Sequence, residues 1–343
     1  MAQGARHDQR LAGAELAGQR DAGARFAREP ILPRFVYDAG YGVRDNMRSV
    51  QTRHSSPGDY TVGITTNTSG MRNAGRDYLV ARTSGVGRIA LLGDSFVFGF
   101  GVEDEEVVSA RLEDLLNGGG RPCCEVLNFG VPGFGQAEEL LTYWNKVRSF
   151  APDAVVVFYF ENDLGNNEVA DLFTLDDVGR LTPSGRTYLP GVDMRERLYA
   201  FPPTRWLFEH SQLWNLVRNR LSLLVQRSLL ASHAMNTFVT PSEHAVALTR
   251  ALLLRFVADL RRDGVLPIVF VIPTRDLASN FPMTRQEVLD VGADLVDGRG
   301  FLTRQDYFVR DTHWRPSGHE KAARALTARL SGLCQFEVRD GQP

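Results

Sequence analysis

Arg88-Ile89-Ala90-Leu91-Leu92 runs directly into Gly93-Asp94-Ser95. A short continuous apolar run that stops at a turn suits a strand buried on both faces, as in a parallel sheet. Working outward, Val107 to Leu116 places Val108, Leu112, Leu115 and Leu116 at helical spacing, and Gly118-Gly119-Gly120 stops it. Glu125 to Phe129 reads as a strand followed by a Gly/Pro turn, Glu138 to Phe150 as a helix, and Ala154 to Phe160 as the strongest strand of the chain. This is a β-α-β-α-β rhythm, the pattern of a parallel sheet covered on both faces.

The rhythm breaks over residues 164–239 and then resumes. Thr240-Pro241-Ser242-Glu243 has the form of a capping box with proline at the first helical position, which predicts a helix to Asp263 stopped by Gly264. Pro267 to Ile272 supplies a fourth strand, Asp294 to Asp297 a fifth, and Ser317 to Leu330 a closing helix. The expected fold is α/β: a flavodoxin-like three-layer α/β/α sandwich with a central five-stranded parallel sheet and a helical insertion. Its site should lie at the carboxyl ends of the strands.

Residues 1–33, rich in Ala, Gly and Arg, form a poorly ordered or helical lead outside the core. Residues 34–87 mix Gly, Asn, Ser and Thr with short alternating pieces such as Tyr60-Thr61-Val62-Gly63-Ile64, and read as loops and edge strands packing on the core. Residues 88–343 carry the α/β domain with the insertion 164–239. The second half of that insertion, Trp206 to Leu230, is apolar with Arg218, Arg220 and Arg227 among the apolar positions. One or two amphipathic helices are expected there, packing on the sheet edge or forming a lid or acceptor-binding wall.

The chain has 343 residues, 39 basic and 41 acidic ones and a formal net charge of −2, which argues against a nucleic-acid binder. No stretch is apolar enough to span a bilayer, and the N-terminus has no apolar signal region as written. Cys123, Cys124 and Cys334 do not describe a disulfide framework. The adjacent pair is expected simply to pack, as in a soluble protein of a reducing, cytoplasmic compartment. An exported or anchored native form stays open.

Ser95 follows a strand and precedes a helix, so its hydroxyl is lifted out at the sheet's carboxyl end, beside backbone N–H groups. It could equally cap that helix. A serine nucleophile needs a base. Of seven histidines, His313 lies in the loop between the last strand and the last helix, where it would reach the same edge. Asp311 is two residues earlier, on the same side of an extended backbone, where it could orient the imidazole. The glycines of Asn128 to Gly135 let backbone N–H groups approach a ligand, and the amide of Asn162 is a further donor, or else an Asx turn.

Together these blocks resemble the SGNH (GDSL-like) hydrolase superfamily. Four blocks stand in the family's order: Gly93-Asp94-Ser95, Asn128 to Gly133, Asn162-Asp163, and the segment around His313. The resemblance implies Ser95 as nucleophile and oxyanion donor, Gly133 and Asn162 as further oxyanion donors, and His313 with Asp311 as base and orienting carboxylate. There are two departures. Phe160 stands where the family has glycine, and the acid is two rather than three residues before the histidine, Arg310 holding the other place. The Asp-Thr-His-Trp form resembles variants among polysaccharide O-acetyltransferase relatives. Thr66 to Arg72 resembles a segment of larger bacterial members and has no assigned role.

The expected function is serine-dependent hydrolysis of a carbohydrate or small-molecule O-acyl ester. The alternatives are an O-acyltransferase acting on a sugar or natural-product hydroxyl, and a non-catalytic ligand-binding module. Phe134, Phe160 and Trp314 would suit a sugar face or plain packing. No cofactor or metal is implied. Glu103 to Glu106 read as a solvated helix start, and His319 with His313 and Asp311 has poor ligand spacing. Oligomeric state stays open.

Overall fold

The computed structural model describes residues 35–38, 42–118, 122–185, 201–211, 214 and 242–334. Two compact units are distinguished: 35–192 with 236–343, and 1–34 with 193–235. Of the smaller unit, helix α5 (Pro202–His210) is described, with proline in its first turn. All that follows concerns the larger unit.

Two antiparallel hairpins come first: β1 (Phe35–Asp38) with β2 (Val43–Asn46), and β3 (Gln51–Ser56) with β4 (Tyr60–Thr65). The central strands and helices are β5 (Gly87–Leu92), α1 (Ser95–Phe98), α2 (Val108–Asn117), β6 (Cys124–Asn128), α3 (Gln136–Asn145), β7 (Ala154–Tyr159) and α4 (Asp163–Ala170). A small hairpin, β8 (Phe173–Leu175) with β9 (Leu181–Pro183), precedes α6 (Glu243–Arg262). Then come β10 (Leu266–Val271), α7 (Arg285–Asp290), β11 (Asp294–Asp297) and α8 (Pro316–Leu330).

The central sheet has the order β6-β5-β7-β10-β11, and every neighbouring pair is parallel. Counted along the chain this is 2-1-3-4-5, the flavodoxin-like order. The order reverses between β5 and β7, so a crevice is expected where those two strands end. Alternate residues feed opposite layers. Ile89, Leu91, Val156 and Phe158 pack with Leu112 of α2 and Leu326 of α8, whereas Ala90, Leu92, Val155 and Val157 pack with Leu140 of α3 and Phe256 of α6. All six residues of β5 and of β7 are buried, as the continuous apolar runs require. Arg88, read as part of that run, is also fully buried. Its guanidinium is satisfied by Glu125 at 2.7 Å and by the carbonyls of Leu79, Val80 and Phe150.

Four expectations are corrected. The helix predicted from Glu138 to Phe150 ends at Asn145. Lys146 breaks it, its ammonium drawn to Asp45 and to the Ser69 carbonyl, both at 2.6 Å, and a 3₁₀ turn Val147–Phe150 follows. The cap of α6 is Ser242, whose hydroxyl accepts from the Ala245 N–H; Thr240 and Pro241 lie outside the described residues. Cys124 does not merely pack: it forms a disulfide with Cys334, their Cα atoms 5.9 Å apart. The fold brings the start of β6 against the turn after α8, a juxtaposition across 210 residues that cysteine spacing does not reveal. The acidic run 103–106 forms a 3₁₀ turn tied to the hairpin, with Glu103 accepting from Gly63 N–H and Asp104 from Thr65 N–H. The lead 1–33 and residues 215–239 of the insertion lie outside the described residues.

Candidate active site

Ser95 is the first residue of α1, at the carboxyl end of β5. It does not cap the helix. Asp94 does, its Oδ1 accepting the Phe96 N–H at 2.9 Å. The serine hydroxyl is therefore left for another partner, and that partner is His313: Ser95 Oγ lies 2.7 Å from Nε2. The other ring nitrogen, Nδ1, bonds to Asp311 Oδ1. The ring of Phe96 lies 4.9 Å and that of Phe100 5.5 Å from the imidazole, so apolar surface flanks the pair.

Asp311 reaches His313, but not along an extended strand as the spacing suggested. Thr312 between them has φ +66°, a left-handed conformation. For a β-branched residue that costs roughly 1–2 kcal/mol, so the surrounding structure must hold it. Burial pushes the Asp311 carboxyl up, but the hydrogen bond and charge of His313 and the Tyr60 hydroxyl outweigh it and hold the group below its ordinary value.

The glycine block lies against helix α1. Asn128 binds at both ends of its amide: Oδ1 accepts the Gly130 N–H at 3.0 Å, and Nδ2 donates to the Val97 carbonyl at 2.9 Å. A Cβ on Gly130 would lie 2.4 Å from the Phe98 nitrogen, so no other residue fits there without moving backbone. Gly133 has φ +77°, and its carbonyl accepts from Arg44 at 2.7 Å.

Asn162 stands at the start of α4, beside the end of β7. It makes no side-chain cap, so the Asx-turn reading fails. Its amide donates one hydrogen to Asp94 Oδ2 at 3.2 Å, and a second hydrogen remains. Asp94 thus ties the first block to the third. Asp163 accepts from Gln136 and from the Phe160 N–H. Close by, Glu139 is buried with neither carboxyl oxygen paired among the described residues. Burial, then the charges of Asp163, Asp94 and Glu138, push its carboxyl well up, and burial and Asp94 do the same to Asp163.

The sequence-predicted residues Ser95, His313 and Asp311 are in direct contact, and Asn162 joins them through Asp94. Gly133 is placed in the turn after β6. Two of the aromatic candidates take the packing alternative: Trp314 and Phe134 are fully buried, Trp314 set edge-on against Phe96, Phe270 and His319, so neither presents a face to a sugar. Phe160 is part-buried, its ring 4.7 Å from Phe96. His319 serves the core. Its Nδ1 accepts the Val108 N–H at 3.2 Å, and burial lowers its pKa to about 3, keeping it neutral.

Sequence reasoning missed a supporting ring of side chains from the N-terminal segment. Arg72 is fully buried and spends its N–H groups on the carbonyls of Phe98, Gly99, Val102 and Gly63 and on Asp104, which fixes the chain leaving α1. Asn46 donates to the Gly130 carbonyl at 2.8 Å. Tyr60 donates to Asp311. The stretch Thr66 to Arg72 carried a signal of this kind, since Asn67 and Gly70 (φ +78°) build the turn that aims Arg72 inward.

No protein-family model matches the chain, and no curated protein matches it. Among solved structures, the chain is similar to a protein described as lipolytic and of the G-D-S-L family from Desulfitobacterium hafniense (11% identity, TM-score 0.40, covering 72% of this chain and 98% of that one). It is also similar to a lipase/acylhydrolase from Enterococcus faecalis (14%, 0.42, 72% and 96%). A third is a catalytic mutant of an acetylxylan esterase from Geobacillus stearothermophilus (14%, 0.39, 74% and 97%). Likenesses this remote carry no argument about chemistry, which rests on the residues above.

Proposed function

We propose that this chain is an SGNH-type serine esterase that hydrolyses an O-acyl ester through an acyl-enzyme on Ser95. One observation carries the reading: the Ser95 hydroxyl lies 2.7 Å from His313 Nε2 while Asp311 engages the opposite ring nitrogen. This is the relation of nucleophile, base and orienting carboxylate that makes a neutral serine reactive.

In the first half-reaction His313 Nε2 takes the Ser95 proton as Oγ adds to the ester carbonyl. The negative charge on the former carbonyl oxygen is held by the Ser95 N–H, the Gly133 N–H and the second amide hydrogen of Asn162. The tetrahedral intermediate collapses as His313 returns the proton to the departing alkoxide, leaving Ser95 acylated. In the second half-reaction His313 deprotonates water, hydroxide adds to the acyl carbon, and the acid departs as Ser95 regains its proton. A sugar or natural-product hydroxyl taking the place of that water would make the same site an O-acyltransferase, the alternative reading, and the Asp-Thr-His-Trp form of the last block resembles variants among polysaccharide O-acetyltransferase relatives. The Cys124–Cys334 disulfide supports an oxidising compartment over the cytoplasm.

The test is p-nitrophenyl acetate turnover by wild type and Ser95→Ala, with and without added sugar alcohols. Nitrophenol release that disappears in Ser95→Ala supports the acyl-enzyme route, and acceleration by an acceptor selects transfer over hydrolysis. Equal release by a folded Ser95→Ala variant would overturn the reading.

A further inference from the structure

The turn joining β3 to β4 reaches the triad carboxylate. Asp59 N–H donates to the Ser56 carbonyl at 3.0 Å, and Gly58 takes φ +86°, so Pro57-Gly58 forms a tight reversal. The two residues that follow both turn toward Asp311. Tyr60 donates its phenolic hydroxyl to Asp311 Oδ2 at 2.9 Å. Asp59 Oδ2 accepts the backbone N–H of Asp311 at 2.8 Å and that of Arg310 at 3.1 Å. The Arg310 guanidinium returns a bond to the Pro57 carbonyl at 3.2 Å. Asp311 is thus fixed by side chain and by main chain from a hairpin some 251 residues away, and its Oδ1 is left to His313.

We propose that Asp59 and Tyr60 are positioning residues for Asp311, which make its two-residue spacing from His313 workable. The proposal rests on the triad reading above. An acid two residues before the histidine meets the ring only by way of a left-handed Thr312. Nothing local favours that conformation in a threonine. The Asp59 carboxylate pins the main chain just before it, and the Tyr60 hydroxyl stops the carboxylate from rotating away. The Tyr60 ring packs separately, 4.9 Å from Phe308 and 5.4 Å from His54, so the hydroxyl can be removed with the packing kept.

The experiment is the rate of Ser95 modification by a fluorophosphonate, measured as maximal rate and half-saturating concentration, for the full chain. Tyr60→Phe should slow the maximal rate on the order of tenfold, the scale of one hydrogen bond to a charged group, with half-saturation unchanged. In an Asp311→Ala background the same substitution should change the rate by less than about twofold, because its partner is gone. Asp59→Asn, which keeps an accepting oxygen, should retain more activity than Asp59→Ala. Full-rate labelling of Tyr60→Phe, or an equal loss in both backgrounds, would overturn the proposal while leaving the triad intact. Absence of any Ser95-dependent labelling in wild type would instead overturn the triad reading, and this proposal with it.

Discussion

Asn162 has two amide hydrogens, and the Asp94 carboxylate takes one of them. That bond sets the direction of the other, which is the one assigned to the developing oxyanion. Asn162→Ala should therefore lower kcat for p-nitrophenyl acetate by about 10²–10³, the cost of one oxyanion donor, with far-UV circular dichroism unchanged. An undiminished kcat would remove Asn162 from the site. At this scale the sequence was most readable where a residue follows a strand in a block that is local in the chain. Ser95 and Asn162 each follow a strand within three residues, and Asp311 and His313 share one short loop just before α8, so each could be placed from its own block. Tyr60 and Asp59 were unreadable because their significance lies in contacts made across the whole chain, and a tyrosine on an edge strand is ordinary. Thr312 was unreadable for another reason: its left-handed backbone is imposed from outside, against the residue's own preference.

Helix α1 is a single turn, Ser95–Phe98, too short to stand by itself. It is held at its start by the Asp94 cap and at its end by Arg72, which binds the carbonyls of Phe98, Gly99 and Val102. Removing Arg72 strands those carbonyls and leaves Asp104 without its cation. Arg72→Met should cost roughly 3–5 kcal/mol, as for one partner deleted from a buried pair, read as a fall in the urea midpoint. The activity of the folded fraction should fall too. A midpoint unchanged from wild type would show that α1 holds itself. Strands and long helices were legible from hydrophobic period, to within a residue or two for β5, β7, β10 and β11. Helix ends were less so, because Ser242 and Lys146 are chosen by hydrogen-bond partners that periodicity does not contain.

At the scale of the molecule, the sheet order places the ends of β5 and β7 side by side at the switch point, and the first and third blocks sit there. The same packing buries an acidic group, Asp94, Asp163 and Glu139, whose carboxyls burial pushes above their ordinary values. A raised folded-state pKa means that the native state binds more protons than the unfolded chain once pH passes the ordinary carboxylate range. Stability is then fully present below that range and falls as pH rises through the folded-state values. The urea midpoint of wild type should therefore decline on the alkaline side, and Glu139→Gln should flatten that decline whatever its cost at acid pH. Parallel midpoint curves for the two proteins would show that Glu139 does not titrate in this window. The disulfide belongs to this scale as well: it joins β6 to the segment after α8 across 210 residues of chain.

If His313 makes Ser95 nucleophilic, reaction with a fluorophosphonate followed by peptide mapping will find the label on that serine. One adduct is expected, on Ser95, absent in Ser95→Ala and formed far more slowly in His313→Ala. An adduct elsewhere, none on a folded wild type, or undiminished labelling in His313→Ala would contradict it.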